Sequence, residues 1–173
     1  MWPLISVFLD IALHRRGPQD LPASQFLVGL LLVLDLAAGL VSLQVGGSSN
    51  GPQALALLVD ALAYLAYIWI VLRIFRRQRR FKQTASALLG TEILLYLLGM
   101  PLLLWSRTLD TGDATQTIPA LLYVALIIWS IDIGGYVLSR ALERPYILGV
   151  VIVVLYVMVS MIVRGDLFGS AGT

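Results

Sequence analysis

Cysteine is absent from this 173-residue chain, which excludes disulfides, thiolate metal sites and a cysteine nucleophile together. Histidine occurs once, as His14, and the sequence predicts it exposed at a helix end. No Ser-His-Asp set can therefore assemble at depth, and no multi-histidine metal set exists. No glycine-rich loop suits phosphate binding. Asp35, Asp60 and Asp132 stand in Leu34-Asp35-Leu36, Val59-Asp60-Ala61 and Ile131-Asp132-Ile133, which lack the glycine-containing surroundings of intramembrane aspartyl chemistry. Enzymatic activity, a resident metal and a cofactor are accordingly not expected.

Charge is scarce too, at 13% of residues, whereas hydrophobic residues make up 59% and the mean hydropathy is +0.89. Soluble domains are usually about 45–50% apolar, so lipid must be the solvent for most of this chain. The net charge of +2 and pI near 9.2 are explained by membrane topology, and no nucleic-acid partner is expected.

Taken in order, residues 1–16 read as a short amphipathic helix lying in the membrane interface. Its apolar part is too short to span, and Ser6, Asp10 and His14 form one polar stripe at i, i+4, i+8. Trp2 and Phe8 suit an interfacial position. The Gly/Pro linker 17–25 then breaks the helix, with Ser24 placed to cap the next one. Residues 26–173 read as one membrane domain with spans at about 26–45, 54–72, 85–105, 118–138 and 146–163. Each approaches the ~20 residues a transmembrane helix needs, and backbone satisfaction in lipid makes them helices despite the strand-prone run 150–154. Pro101 predicts a kink in the third span. Trp69 and Trp105 suit interface anchors, while Trp129 falls in mid-span and implies packing. Small residues four apart (Ala38/Ser42, Ser86/Gly90, Gly135/Ser139) allow close helix approach.

Six of the twelve Lys and Arg residues, Arg73, Arg76, Arg77, Arg79, Arg80 and Lys82, lie between the second and third spans. Placing that loop in the cytoplasm puts ten basic residues inside and only Arg107 and Arg164 outside, as the positive-inside rule requires. The expectation is a multi-pass inner-membrane protein with its N-terminus cytoplasmic and C-terminus periplasmic. Phe75 and Phe81 interleave with the arginines, so the loop also suits contact with anionic lipid headgroups.

Four acids fall near span midpoints: Asp35, Asp60, Glu92 and Asp132. No Lys, Arg or His lies at their depth in the spans, so each must be protonated, hydrogen-bonded, hydrated or cation-bound. Three have a tyrosine at i+4, Tyr64, Tyr96 and Tyr136, whose phenol can reach the carboxyl. The fifth span carries no acid or base and is expected to face lipid. Two functions fit. One is a non-enzymatic scaffold or assembly factor that packs against other membrane proteins or itself. The alternative is proton- or cation-coupled transport through the midplane acids.

The order of parts, with Arg16-Gly17-Pro18-Gln19-Asp20-Leu21-Pro22 before the first span, resembles the short bacterial members of the Yip1-type membrane family. That resemblance implies an all-α membrane protein of five transmembrane helices plus the N-terminal interfacial helix. It implies no catalytic residue. The long cytoplasmic region of the eukaryotic relatives, which act with small GTPases in vesicle trafficking, is not found ahead of the first span, and GTPase binding is not carried over.

Overall fold

In the computed structural model the backbone is described for residues 2–47, 51–109 and 117–168, and side chains for 4–47, 53–109 and 117–162. Six α-helices account for nearly all of it: α1 (Trp2–Ala12), α2 (Gln25–Val45), α3 (Gly51–Ile74), α4 (Phe81–Arg107), α5 (Thr117–Leu142) and α6 (Tyr146–Phe168). Single 3₁₀ turns occupy Pro18–Asp20 and Gln78–Arg80, and no strand occurs among the described residues. Four helices, α2 to α5, are long and apolar enough to cross a membrane, and α6 is apolar over Tyr146–Ile162. The strand-prone run 150–154 is helical. α4 continues through Pro101 as one helix.

The chain is built around α4, which packs against α1, α2, α3 and α5. Every residue from 84 to 91 is buried, and the small side chains of Ala85, Ser86, Ala87 and Gly90 let neighbours come close. Gly90 admits the Phe8 ring: a Cβ there would stand 2.2 Å from Phe8 Cε1. Phe8 is thus a core residue of α1 and not an interface anchor, because the hole over Gly90 receives it. The side chain of Trp2 lies outside the described residues. α5 and α6 form a second close pair, where Gly149 lies directly on the Gly135 carbonyl. α2 buries one strict i+4 stripe, Leu27, Leu31, Asp35 and Gly39, and starts where Ser24 Oγ accepts from the Leu27 N–H (3.3 Å).

Two ends of the bundle differ sharply. At one end Gln83 donates to the Gln19 and Leu21 carbonyls (3.3 and 2.9 Å), and Arg80 donates to the Arg140 and Ala141 carbonyls (3.1 and 3.2 Å). The linker, the basic loop and the α5–α6 corner therefore meet there, carrying ten basic residues. At the other end the α2–α3 turn meets the Arg107 side chain at Gly47. The charges of the intervening loop, Asp110 and Asp113, and the side chains of Arg164 and Asp166 lie outside the described residues.

Three helices ending at the basic end share one terminus. α1, α3 and α5 close with the residues His14, Arg76 and Glu143 at φ of 60°, 57° and 53°. The following amide bonds back five residues each time: Arg15 to Asp10 (2.7 Å), Arg77 to Leu72 (2.7 Å) and Arg144 to Ser139 (3.0 Å). This is the left-handed helix stop that glycine normally supplies. A residue with a Cβ costs roughly 1–2 kcal/mol there. Two of the three side chains are then aimed at partners, described next.

Candidate functional site

Asp35, Asp60 and Glu92 reach one space. A cavity of about 200 Å³ opens among α2, α3, α4, α5 and α6, and all three acids line it with Tyr64, Tyr67, Tyr96 and Tyr156. Its apolar wall includes Ile68, Leu88, Leu138 and Val153. Each helix contributes what its register dictates. Asp35 sits in the buried i+4 stripe of α2 (7% exposed), Asp60 shares a face of α3 with Leu57, Tyr64 and Tyr67, and Glu92 follows Leu88 and Thr91 on α4. Asp35 Oδ1 is buried and has no hydrogen-bond partner. Thr91 lines the same cavity, but its hydroxyl is donated to the Ala87 and Leu88 carbonyls (2.9 and 3.0 Å).

The cavity tyrosines also reach across helices. Tyr64 and Tyr67 both lie against Tyr156 of α6, with ring centroids 4.9 and 5.0 Å apart, and Tyr67 donates to the Ile152 carbonyl (2.7 Å). α6 therefore does not simply face lipid. Tyr156, Val153 and Val157 complete the cavity wall, because Gly134, Gly135 and Gly149 bring α6 close enough to reach it. Among the described residues no three His, Cys, Asp or Glu side chains gather as a metal set, so the cavity offers separated carboxyls.

Asp132 does not join the other acids, although α5 lends Ser130, Ile131, Gly134 and Leu138 to the same cavity. Two residues along a helix is a rotation of about 200°, which turns Asp132 to the far side, toward α1. There it receives the Tyr146 hydroxyl on Oδ1, and His14 Nε2 lies 3.3 Å from Oδ2 at ion-pair distance without hydrogen-bond alignment. Tyr136 stacks on His14 (centroids 4.2 Å, 25°) and donates to the His14 carbonyl (3.1 Å), so its phenol serves α1 and not Asp132. Trp129 donates to the Ala12 carbonyl (3.3 Å), which accounts for a tryptophan in mid-helix. Two sequence expectations are corrected here. His14 is a docked residue, and an acid at depth does have a histidine beside it, because α1 leans into the bundle.

The basic loop is partly consumed within the protein. Arg77 and Arg80 both ion-pair with Glu143, and Arg80 also caps the carbonyls that end α5. The Arg80 hydrogen bond, with both guanidiniums nearby, holds the exposed Glu143 carboxyl below its ordinary 4.5. Arg73 lies over the Trp69 ring at 4.9 Å. Phe75 and Phe81 pack against the core and not outward, since each flanks a helix end pressed on the bundle. Arg76, Arg79 and Lys82 remain exposed. Tyr146, Tyr156 and Tyr67 are the residues that spacing alone missed, and the docking of His14 was missed with them. Each acts across helices, where local periodicity carries no signal.

Comparison of the chain with family models, with curated proteins and with solved structures gave no match.

Proposed function

We propose that this protein is a multi-pass inner-membrane protein that takes up a cation, a proton or a small positively charged solute, in the cavity of Asp35, Asp60 and Glu92. α6 is the fifth span, and α1 lies in the inner leaflet with Leu4, Ile5, Leu9 and Leu13 toward lipid. The basic end is cytoplasmic by the positive-inside rule. The observation that carries the reading is Asp35 Oδ1: a buried carboxylate oxygen with no partner, facing a cavity that two more acids share. A carboxylate in a low-dielectric interior is stable only if protonated, hydrated or joined by a cation, and such residues mark ion paths in membrane proteins. The apolar outer faces that a scaffold would use are equally what lipid covers, so they favour neither alternative. The Yip1-type resemblance is compatible with both.

Thermal unfolding of the purified protein in detergent tests this, across pH 4–9 and across monovalent and divalent cations. A bound cation at 100 times its Kd raises stability by about 2.7 kcal/mol. Asp35→Asn should remove the dependence on pH or cation, and flux into proteoliposomes should fall with it. Flat curves for wild type, with Asp35→Asn as stable, would return the protein to the scaffold reading.

A further inference from the structure

A second concavity lies at the basic end, outside the acid cavity. It is an open groove of about 710 Å³ between the linker, the end of α5 and the start of α6, lined by Gln19, Arg80, Ser139, Arg140, Arg144 and Tyr146. Its one acid, Glu143, is already paired with Arg77 and Arg80. That leaves Arg140 and Arg144 on the groove with no acidic side chain within ion-pair reach among the described residues, and the Arg140 guanidinium is steadied over the Tyr136 ring at 5.4 Å. The volume lies within the range of ordinary ligand pockets, roughly 300–1,000 Å³. At its lip the exposed side of α6 begins: Ile147, Val151, Leu155 and Met158 all stand open, three or four residues apart, on one face.

We propose that this groove is a binding site for an anionic phospholipid, its headgroup phosphate held by Arg140 and Arg144 and an acyl chain running down the Ile147–Val151–Leu155 face. Charge selects phosphate, since guanidinium matches its oxygens in a two-pronged arrangement. The apolar track beginning at the groove selects a lipid over a soluble phosphate. The site differs from the general attraction of the 73–82 loop for an anionic surface. That loop has already given Arg77 and Arg80 to Glu143, whereas Arg140 and Arg144, the groove's uncommitted cations, stand on the α5–α6 corner. The assignment rests on the membrane reading, which dependence of solubility on detergent tests separately.

The experiment is lipid titration of the full-length protein in a neutral maltoside detergent, followed by native mass spectrometry and thermal unfolding. The probes are dioleoyl phosphatidylglycerol, dioleoyl phosphatidylcholine and glycerol 3-phosphate. Wild type should retain one phosphatidylglycerol in preference to phosphatidylcholine, and the soluble phosphate should not compete at equal concentration. Each basic residue near a membrane surface adds about fivefold to anionic-lipid affinity, so Arg140→Gln with Arg144→Gln should weaken retention roughly 30-fold by the same scale. Arg79→Gln with Lys82→Gln removes the same charge from the exposed loop and should leave retention nearly unchanged. If the double variant does not fold, Arg144→Gln alone, an exposed side chain, should still give about fivefold. Equal losses in both pairs would mean diffuse attraction and overturn the site. Equal binding of phosphatidylcholine, or competition by glycerol 3-phosphate, would overturn its assignment to an anionic lipid.

Discussion

The α5–α6 contact makes a prediction whose sign is fixed by geometry. An added Cβ at Gly149 would stand 2.1 Å from the Gly135 carbonyl oxygen, and 3.0 Å from both its carbon and the Ser139 nitrogen. Those are backbone atoms on a regular helix and have no rotamer to escape into. The helices must part by about 1 Å, and a gap of that size forfeits up to half of each dispersion contact along the seam. Overpacking of this kind costs about 1–3 kcal/mol, against which Ala returns up to about 1 kcal/mol of helix propensity. Gly149→Ala should therefore be less stable by about 1–2 kcal/mol, or roughly 2–8 °C in Tm by the scaling for chains of this length. Gly29→Ala is the internal control. Nothing lies within 4 Å of its added Cβ, so propensity acts alone and the change should be neutral to stabilising. Thermal or denaturant unfolding in one detergent compares the two. Gly149→Ala matching or exceeding wild type would refute the described crossing of α5 and α6, and with it the route by which Tyr156 reaches the cavity.

Arg76→Gly should raise stability by up to about 1 kcal/mol, because the exposed Arg76 holds φ 57° at a position where glycine carries no penalty; a lower Tm would contradict that. Glu143 has its pKa lowered in the folded state, so its contribution is present above about pH 4.5 and disappears as pH falls through the folded value. Glu143→Gln should accordingly separate from wild type in unfolding curves at pH 7 and converge with it in acid, and a constant offset at every pH would count against the Arg77–Glu143–Arg80 cluster. Phe8→Ala should cost about 3 kcal/mol locally, seen as faster amide exchange over residues 2–14 with the amides of α6 unchanged. Exchange rising uniformly would mean that α1 is not a separately docked element.

The long apolar helices were legible in the sequence because length and apolarity are local quantities: α2 begins within a residue of expectation, and Ser24 caps it as read. Depth was legible too, since Asp35, Asp60, Glu92 and Asp132 do lie near the middles of their helices. Rotation was not. A helix hydrophobic all round carries almost no directional signal, and α3 is apolar on every side, so nothing in its sequence says which face meets α4. Asp35 was the exception in retrospect. The stripe Leu27, Leu31, Asp35, Gly39 has an i+4 rhythm, and Gly39 is what lets Leu57 of α3 close over it, with a Cβ there only 3.0 Å from Leu57 Cδ2.

Asp132 shows why depth without rotation misleads. Its neighbours Ile131, Gly134 and Leu138 look into the cavity, so a fourth carboxyl at the same depth was one face away from joining the other three. Had it joined, a fourth like charge in one low-dielectric space would have made simultaneous ionisation costlier still. Turned outward, it meets the one histidine of the chain and the first residue of α6, tying α1, α5 and α6 at one point. The left-handed backbone of His14 is what delivers the imidazole there, and the Tyr136 hydroxyl on the His14 carbonyl holds that backbone in place. A double-mutant cycle of His14→Ala with Asp132→Asn follows. Both side chains are about a third exposed, so their coupling should be modest, up to about 1 kcal/mol. Tyr146→Phe, which removes a direct but exposed hydrogen bond, should cost at least as much, about 0.5–1.5 kcal/mol. If the His14 term exceeded the Tyr146 term, Asp132 would be a charge site that recruits α1, and not chiefly a hydrogen-bond acceptor fastening α6.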